Sequence, residues 1–475
     1  MSRRLSLIVV LLIWAAIYLP ALGSLEIKGE EGRRILPAVT MLETGNYIVP
    51  QVGSEPYLRK PPLVNWLVAA SFSFTRHKSE WTARLPSVLC VLAVAIAFVT
   101  IARTALGSFG ALAAALMTLT SFGLIEKGRL IEIEALYVSL FGLAIISWLN
   151  FWKARASQWR TWIVPSIFLG LGLLAKGPLH LFFFYAIVIA VLFRAGEIRE
   201  LWRPAHFIGI AVMLGIFAAW LVPCLIMTNA GQTAHVWSRQ FSGRMAGEGF
   251  HFSSWILNIP RGLAYFLPWL IFLPPLGRAG FASSRDAQMS NGLKWGIATP
   301  FVIVNLIPGA LPRYTMPLLV PTAWLLAENF AAPQFAWLRT RLQRLRERER
   351  LVFFLTTLTA VVVCGYAAIA VPRLQRREKV RSVARQIDRV IPPGETLYAI
   401  DPDYQPFLFY THSRINYVSD VDELPADAHY ALVRAKLEPS LAANARWEAL
   451  HPESVLRVTD YRNVTVSVVR IQSVR

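Results

Sequence analysis

Charge is scarce in this chain. Asp, Glu, Lys and Arg together make up 16% of its 475 residues, against roughly 25% in a soluble domain. Cysteine is scarcer still: Cys90, Cys224 and Cys364 each lie inside an apolar block. Their spacing is that of neither a metal site nor a disulfide framework, which leaves them as small core residues. No internal repeat and no low-complexity tract is present. Acidic residues are the minority, 29 against 48 Lys and Arg, for a net charge of +19. In a soluble protein that balance would suggest nucleic acid, but no nucleic-acid module is recognisable here. Most basic residues sit between apolar blocks, where they orient the chain and meet anionic headgroups. Membrane lipids, not nucleic acid, are the expected partner.

Apolar residues are abundant. They form 55% of the chain, with 16 Trp and a mean hydropathy of +0.46. They gather into blocks near the ~20 residues that a spanning helix needs. The first run, Leu5 to Leu22, reads as a signal anchor with Arg3 and Arg4 in the cytoplasm. The alternative is a signal peptide cleaved near Ala21-Leu22-Gly23. Further blocks fall at 85–104, 108–126, 133–152, 161–175, 178–193, 206–228, 260–276, 293–309, 311–330 and 351–371. The segment 61–74 is too short to span and suits an interfacial or re-entrant helix.

Arginine fixes the orientation. With 61–74 interfacial, the cytoplasmic loops hold Arg103, Lys153, Arg155, Arg160, Arg194, Arg199, Arg203, Arg278 and Arg285. The last of them holds Arg339, Arg341, Arg344, Arg346, Arg348 and Arg350, while short outside loops hold little more than Lys127, Arg129, Lys176 and Arg313. That asymmetry follows the positive-inside rule and implies about 11–13 spans, with the C-terminus outside. The expected architecture is a polytopic α-helical membrane domain over 1–371 and a small α/β domain over 372–475. Strands are expected at Thr396–Ile400, Tyr430–Arg434 and Val464–Ile471, and helices near Val380–Val390 and Leu437–Trp447.

The polar chemistry gathers outside. The first outer loop, 24–84, carries Lys28-Gly-Glu30-Glu31-Gly-Arg33-Arg34, then Met41, Gly45-Asn46-Tyr47, and Arg59-Lys60-Pro61-Pro62. Adjacent carboxylates beside arginines can deprotonate an acceptor while the cations hold a phosphate. A solvated loop of paired charges is the competing reading. The outer loop 229–259, with His235, Arg239, Arg244, Glu248 and His251, is read as a cap over the cavity, without a metal-ligand spacing. Asp401-Pro402-Asp403-Tyr404 reads as a turn.

The first loop resembles that of the GT-C membrane glycosyltransferases, in the branch of the lipid A aminoarabinose transferase and the protein O-mannosyltransferase-like enzymes. The family pattern runs Asp-Glu-x-Arg-Tyr, a Met eight residues after that Arg, Gly-Asp-Trp, and a Lys-Pro pair before an apolar-Trp segment. Glu30-Glu31-Gly32-Arg33-Arg34, Met41, Gly45-Asn46-Tyr47 and Lys60-Pro61-Pro62-Leu63-Val64-Asn65-Trp66 follow it in order and spacing. Arg129-x4-Glu134, Leu174-Ala175-Lys176-Gly177-Pro178 and Leu311-Pro312-Arg313-Tyr314 resemble three further family motifs. The departures are Glu30 for the family's Asp, Arg34 for its Tyr, Arg59 for an acidic residue and Glu134 for Asp.

The resemblance implies an inverting transfer of a sugar from a polyprenyl-phosphate donor to a lipid, glycan or protein acceptor on the periplasmic side of the inner membrane. It implies Glu30, supported by Glu31, as the catalytic carboxylate. It implies Arg33, Arg34, Arg59, Lys60, Arg129, Glu134, Lys176, Arg313 and Tyr314 as substrate-binding residues. No metal site and no cofactor is assigned, and a divalent cation is left open. The rival reading is a transporter or lipid flippase. It would place ionisable residues at mid-membrane on broken helices, whereas here the spans are nearly clean.

Overall fold

The computed structural model describes residues 1–52, 55–228, 238, 250–272, 283–331, 345–403, 405–460 and 463–472. His235, Arg239, Arg244, Glu248, Arg278, Arg339, Arg341, Arg344 and Tyr404 lie outside the described residues, as do the side chains of Arg346 and Arg348. The chain forms two compact units. The first takes Met1–Pro20, Arg59–Val64 and Leu85–Ala367; the second takes Ala21–Leu58, Asn65–Arg84 and Ala368–Arg475.

The first unit is helical. Its helices are α1 (Arg3–Tyr18), most of α4 (Glu80–Thr100), α5 (Arg103–Leu119), α6 (Phe122–Lys127), α7 (Ile133–Lys153), α8 (Gln158–Ala175), α9 (Leu179–Ala195) and α10 (Pro204–Met227). They continue with α11 (Asn258–Ala264), α12 (Ser284–Leu306), α13 (Leu319–Ala331) and α14 (Leu345–Gly365). The helices Glu80–Thr100, Ile133–Lys153 and Pro204–Met227 and the apolar helical stretch that begins at Glu349 are long and apolar enough to cross a membrane. Phe193, Ile226 and Val361 are 72%, 79% and 62% exposed. Apolar side chains turned outward along apolar helices are what a lipid surround requires. The chain is an integral membrane protein.

Three expected spans are interrupted: 108–126 divides into α5 and α6, 311–330 is a 3-10 turn, Pro312–Leu318, followed by α13, and 260–276 is broken as well. Over 260–276 the described residues form α11 and then a separate 3-10 turn at Trp269–Phe272. Pro268 stands between them, and without an N–H it cannot carry the helical hydrogen bonding through. The segment 61–74 forms α3 (Leu63–Thr75), whose 13 residues reach about 20 Å at 1.5 Å per residue. That is short of the ~30 Å hydrocarbon core.

Small residues let α12 and α9 approach closely. A Cβ built on Gly292 would lie 2.5 Å from Val191 Cα, and one on Gly296 2.6 Å from Ile187 Cα. Gly292-Leu-Lys-Trp-Gly296 is thus a small-xxx-small contact, which substitutes backbone packing for the hydrophobic drive that lipid removes. Gly296→Val is expected to destabilise the folded state by about 1–3 kcal/mol through overpacking. A lowered thermal midpoint of the detergent-solubilised protein would register this.

The second unit contains α2 (Gly32–Thr44), most of α3, the two-residue strands β1 (Gln51–Val52) and β2 (Glu55–Pro56), and α15 (Val380–Val390). Its sheet comprises β3 (Thr396–Ile400), β4 (Arg414–Val418), β5 (Tyr430–Arg434), β6 (Glu453–Thr459) and β7 (Thr465–Arg470), in the order β4-β3-β5-β7-β6. β3 runs parallel to β4 and β5, and β7 antiparallel to β5 and β6. Ile400, Val421, Ala431, Val433, Trp447 and Val469 belong to the core of this domain. The expected helix over 437–447 is two short helices, Glu438–Ala442 and Ala445–Ala449. Asn444 starts the second by accepting from Arg446 N at 2.9 Å and Trp447 N at 3.3 Å, as an N-cap does.

Candidate functional site

In the second unit the loop that follows α1 forms a 3-10 turn, Gly29–Glu31, that runs into α2. Its two carboxylates have different surroundings. Glu30 stays 38% exposed; Arg33 Nη1 donates to its Oε1 at 2.8 Å, and Arg34 Nη2 lies 3.7 Å from its Oε2. Partial burial works against the charge on Arg33, but the Glu30 carboxylate outweighs it and raises the guanidinium above its ordinary range. An open carboxylate between two cations can receive a proton from an incoming hydroxyl.

Glu31 is buried. Arg84 grips it with two parallel bonds, Nε to Oε1 at 2.8 Å and Nη2 to Oε2 at 2.9 Å. The same guanidinium donates to the carbonyls of Leu22 at 2.8 Å, Leu25 at 2.9 Å and Glu26 at 3.3 Å. A planar fork with five donors suits this task. Both Glu31 oxygens are thereby engaged by Arg84, in contrast to the open carboxylate of Glu30. Arg84 drew no attention from the sequence, since its partner lies 53 residues away.

Other motif residues shape the loop. Gly45 ends α2 at φ +73°, a conformation glycine adopts without strain. Asn46 Oδ1 accepts from Ile48 N at 3.2 Å and Val49 N at 3.1 Å, and Trp66 Nε1 donates to Tyr47 O at 2.7 Å. Asn65 Nδ2 donates to Arg34 O at 2.7 Å. Buried Arg34 bonds Tyr57 Oη at 2.6 Å. Arg59 is exposed and Lys60 half-buried in the bend before α3.

The first unit carries a separate ion cluster. Glu134, on the first turn of α7, meets Lys176 Nζ at 3.2 Å and Arg313 Nε at 3.2 Å. Lys176 also lies over two rings, 5.1 Å from the centroid of Tyr137 and 4.8 Å from that of Tyr314. Local sequence explains the placement. Lys176 ends α8, Gly177 follows at φ +131°, and Pro178 starts α9, so the Lys-Gly-Pro order breaks the helix and leaves the lysine at the break. Arg313 and Tyr314 ride a 3-10 turn, Pro312–Leu318, where Pro317 withholds the N–H that an α-helix would use. Arg129 donates to the carbonyl of Pro20, at the end of the run led by α1.

Tyr137 and His180 are additions to the expected set. His180 N donates to Tyr137 Oη at 2.6 Å, Tyr137 Oη lies 3.0 Å from Gly177 O, and His180 Nε2 lies 2.9 Å from Leu169 O. The signal available was spacing within α7, where Tyr137 is one helical turn beyond Glu134; His180 lies across the helix break that follows Lys176 and offered no such signal. Glu134→Ala would leave two cations side by side. Lys176 and Arg313 are only partly buried, at 14% and 30% exposure, so the expected cost is below that of breaking a fully buried pair, about 3–5 kcal/mol, and thermal unfolding of the solubilised protein would report it. Among the described residues no group of His, Cys, Asp and Glu is arranged to hold a metal ion.

Membrane helices of this arrangement, charged motifs at their ends and a small mixed sheet domain define the GT-C fold of membrane glycosyltransferases. The solved structure of ArnT from Cupriavidus metallidurans bound to undecaprenyl phosphate superposes with a TM-score of 0.73 at 17% identity, covering 98% of this chain and 97% of that one. At that identity the likeness is one of fold. Residues 59–222 match the family model of dolichyl-phosphate-mannose-protein mannosyltransferases. Undecaprenyl phosphate-alpha-4-amino-4-deoxy-L-arabinose arabinosyl transferase 1 of Pseudomonas fluorescens is 23% identical over 76% of this chain and 66% of its own length. The corresponding transferase of Pseudomonas aeruginosa is 26% identical over 69% of this chain and 60% of its own. The chain thus spans less than two thirds of the length of these curated relatives.

Proposed function

We propose that this chain is an integral-membrane glycosyltransferase that takes a sugar from a polyprenyl-phosphate donor and works on the periplasmic side of the inner membrane. The carrying observation is the fold, shared over nearly the whole chain with a protein solved bound to undecaprenyl phosphate. The acceptor is a lipid or glycan of the envelope, lipid A among them, or a protein. The acceptor oxygen attacks the anomeric carbon while the bond from that carbon to the phosphate oxygen breaks, and the electron pair leaves with undecaprenyl phosphate. Glu30 receives the acceptor proton. Lys60, Lys176 and Arg313 are assigned to the negative charge that grows on the leaving phosphate. Glu134 sets the separation of Lys176 and Arg313, and Arg33 and Arg34 flank Glu30. Arg59, Arg129 and Tyr314 complete the proposed substrate-binding set.

Orientation follows the arginine asymmetry of the loops. Reporter fusions at residues 345 and 400 should read cytoplasm and periplasm respectively. The reverse pattern would place Glu30 on the wrong side for this chemistry.

A further inference from the structure

The segment that leads into Glu30 is clasped by the C-terminal domain through reciprocal carboxylate bonds, within the second unit. Glu26 and Glu378 carry the exchange. The Glu26 carboxylate accepts from Val380 N at 2.8 Å and Arg381 N at 3.0 Å, the first amides of α15. There it meets both the open N–H groups and the positive end of the helix. In return the Glu378 carboxylate accepts from Glu26 N, at 3.1 Å for each oxygen, and pairs with Lys28 Nζ at 2.5 Å. Glu26 is 8% exposed and the Glu378 side chain 5%. These are buried charges with their partners in place, which is the arrangement that fixes geometry.

A second set of contacts lies beside the first. Tyr410 Oη accepts from Ile27 N at 2.7 Å and donates to Glu80 Oε1 at 2.8 Å. Burial, with the Glu80 charge in support, pushes the Tyr410 phenol far above its ordinary value, so it stays a donor. Arg381 also pairs with Glu80 and lies 5.1 Å over the Tyr410 ring. Phe409 stacks on Phe72 of α3 at 6.3 Å. The contacts then continue toward Glu30. Glu26 O accepts from Arg84, Arg84 grips Glu31, and Lys28 N donates to Glu31 Oε2 at 3.3 Å.

We infer that the C-terminal domain is a positioning element for the Glu30 turn, acting through Glu26, Glu378 and Tyr410 and the Arg84–Glu31 pair. This rests on the reading of Glu30 as the catalytic base. Glu26 and Tyr410 touch no reacting atom; they set where the turn stands, and displacing a base by an ångström costs on the order of 10²-fold in rate.

The test uses the full-length protein, Glu26→Gln, Tyr410→Phe, Glu30→Gln and the doubles of each clasp variant with Glu30→Gln. Turnover is the release of undecaprenyl phosphate from the undecaprenyl-phosphate sugar that the wild type uses fastest. Amide exchange is followed over residues 27–33. Each clasp variant is expected to speed exchange there and lower kcat by roughly 10-fold to 10²-fold with donor KM little changed. In the Glu30→Gln background the same changes should add less than about 2-fold, because there is no base left to misplace. Unchanged exchange would overturn the clasp. Faster exchange with losses that add fully to that of Glu30→Gln would overturn the positioning role while leaving the base assignment intact. Wild-type turnover of Glu30→Gln would remove the base assignment itself, and the inference with it. Tyr410→Phe, which deletes one hydroxyl, keeps the test open should Glu26→Gln fail to fold.

Discussion

Glu30→Gln is expected to lower turnover by about 10²–10⁴-fold, the usual cost of losing a general base, with donor binding little changed. The substitution keeps size and most hydrogen bonding, so Arg33 retains an acceptor at Glu30 Oε1. The pair being replaced is 29% and 38% exposed, and an ion pair that open contributes little to stability. Glu30→Asp restores the residue usual in the resembling family and should keep appreciable activity. Lys60→Ala should behave differently, weakening donor binding and slowing phosphate departure together. An acceptor that attacks through an ionised phosphate needs no base, and the effect of Glu30→Gln would then shrink for that acceptor alone. Steady-state kinetics and donor binding on the three variants separate these outcomes.

Arg84→Ala should do the most structural damage of any single change outside the helical core. It takes both parallel bonds from the Glu31 carboxylate, whose side chain is 4% exposed, and removes the donor to the carbonyls of Leu22, Leu25 and Glu26 at once. Removing one partner of a buried ion pair costs about 3–5 kcal/mol. Arg84→Lys should recover only part of this, since an ammonium cannot reproduce the two parallel bonds. The readout is proteolysis within residues 21–34 of the folded, detergent-solubilised protein. Arg84→Ala should be cut fastest, Arg84→Lys less fast, and the wild type least.

The membrane helices were legible because an apolar run of spanning length is a direct signal, as for 133–152 and 206–228. The signal failed at 260–276, where composition stayed apolar but Pro268 interrupted the backbone. In the sheet domain β3 and β5 were legible as dense apolar strands, and α15 was found with its observed ends. The strands β4 and β6 were missed. Both are edge strands with partly exposed, alternating or polar faces, which leaves little hydrophobic contrast to read.

The site divides in the same way. Glu30 with Arg33 and Arg34 could be seen in sequence because residues three and four apart meet on one turn. Lys176 and Arg313 were visible through the proline and glycine beside them. Their joint contact with Glu134 was not, since it assembles three distant segments. Nor was the Glu26–Glu378 exchange, across 352 residues, which has no local signature.

The most direct measurement is made on the purified protein with a panel of undecaprenyl-phosphate sugars, with and without lipid A, glycan and protein acceptors. The account predicts acceptor-dependent release of undecaprenyl phosphate with at least one donor, inversion at the anomeric carbon, and collapse of that release in Glu30→Gln. Normal turnover in both Glu30→Gln and Lys60→Ala would contradict it. So would movement of an intact lipid-linked sugar across the bilayer with no sugar transferred, the behaviour of a flippase.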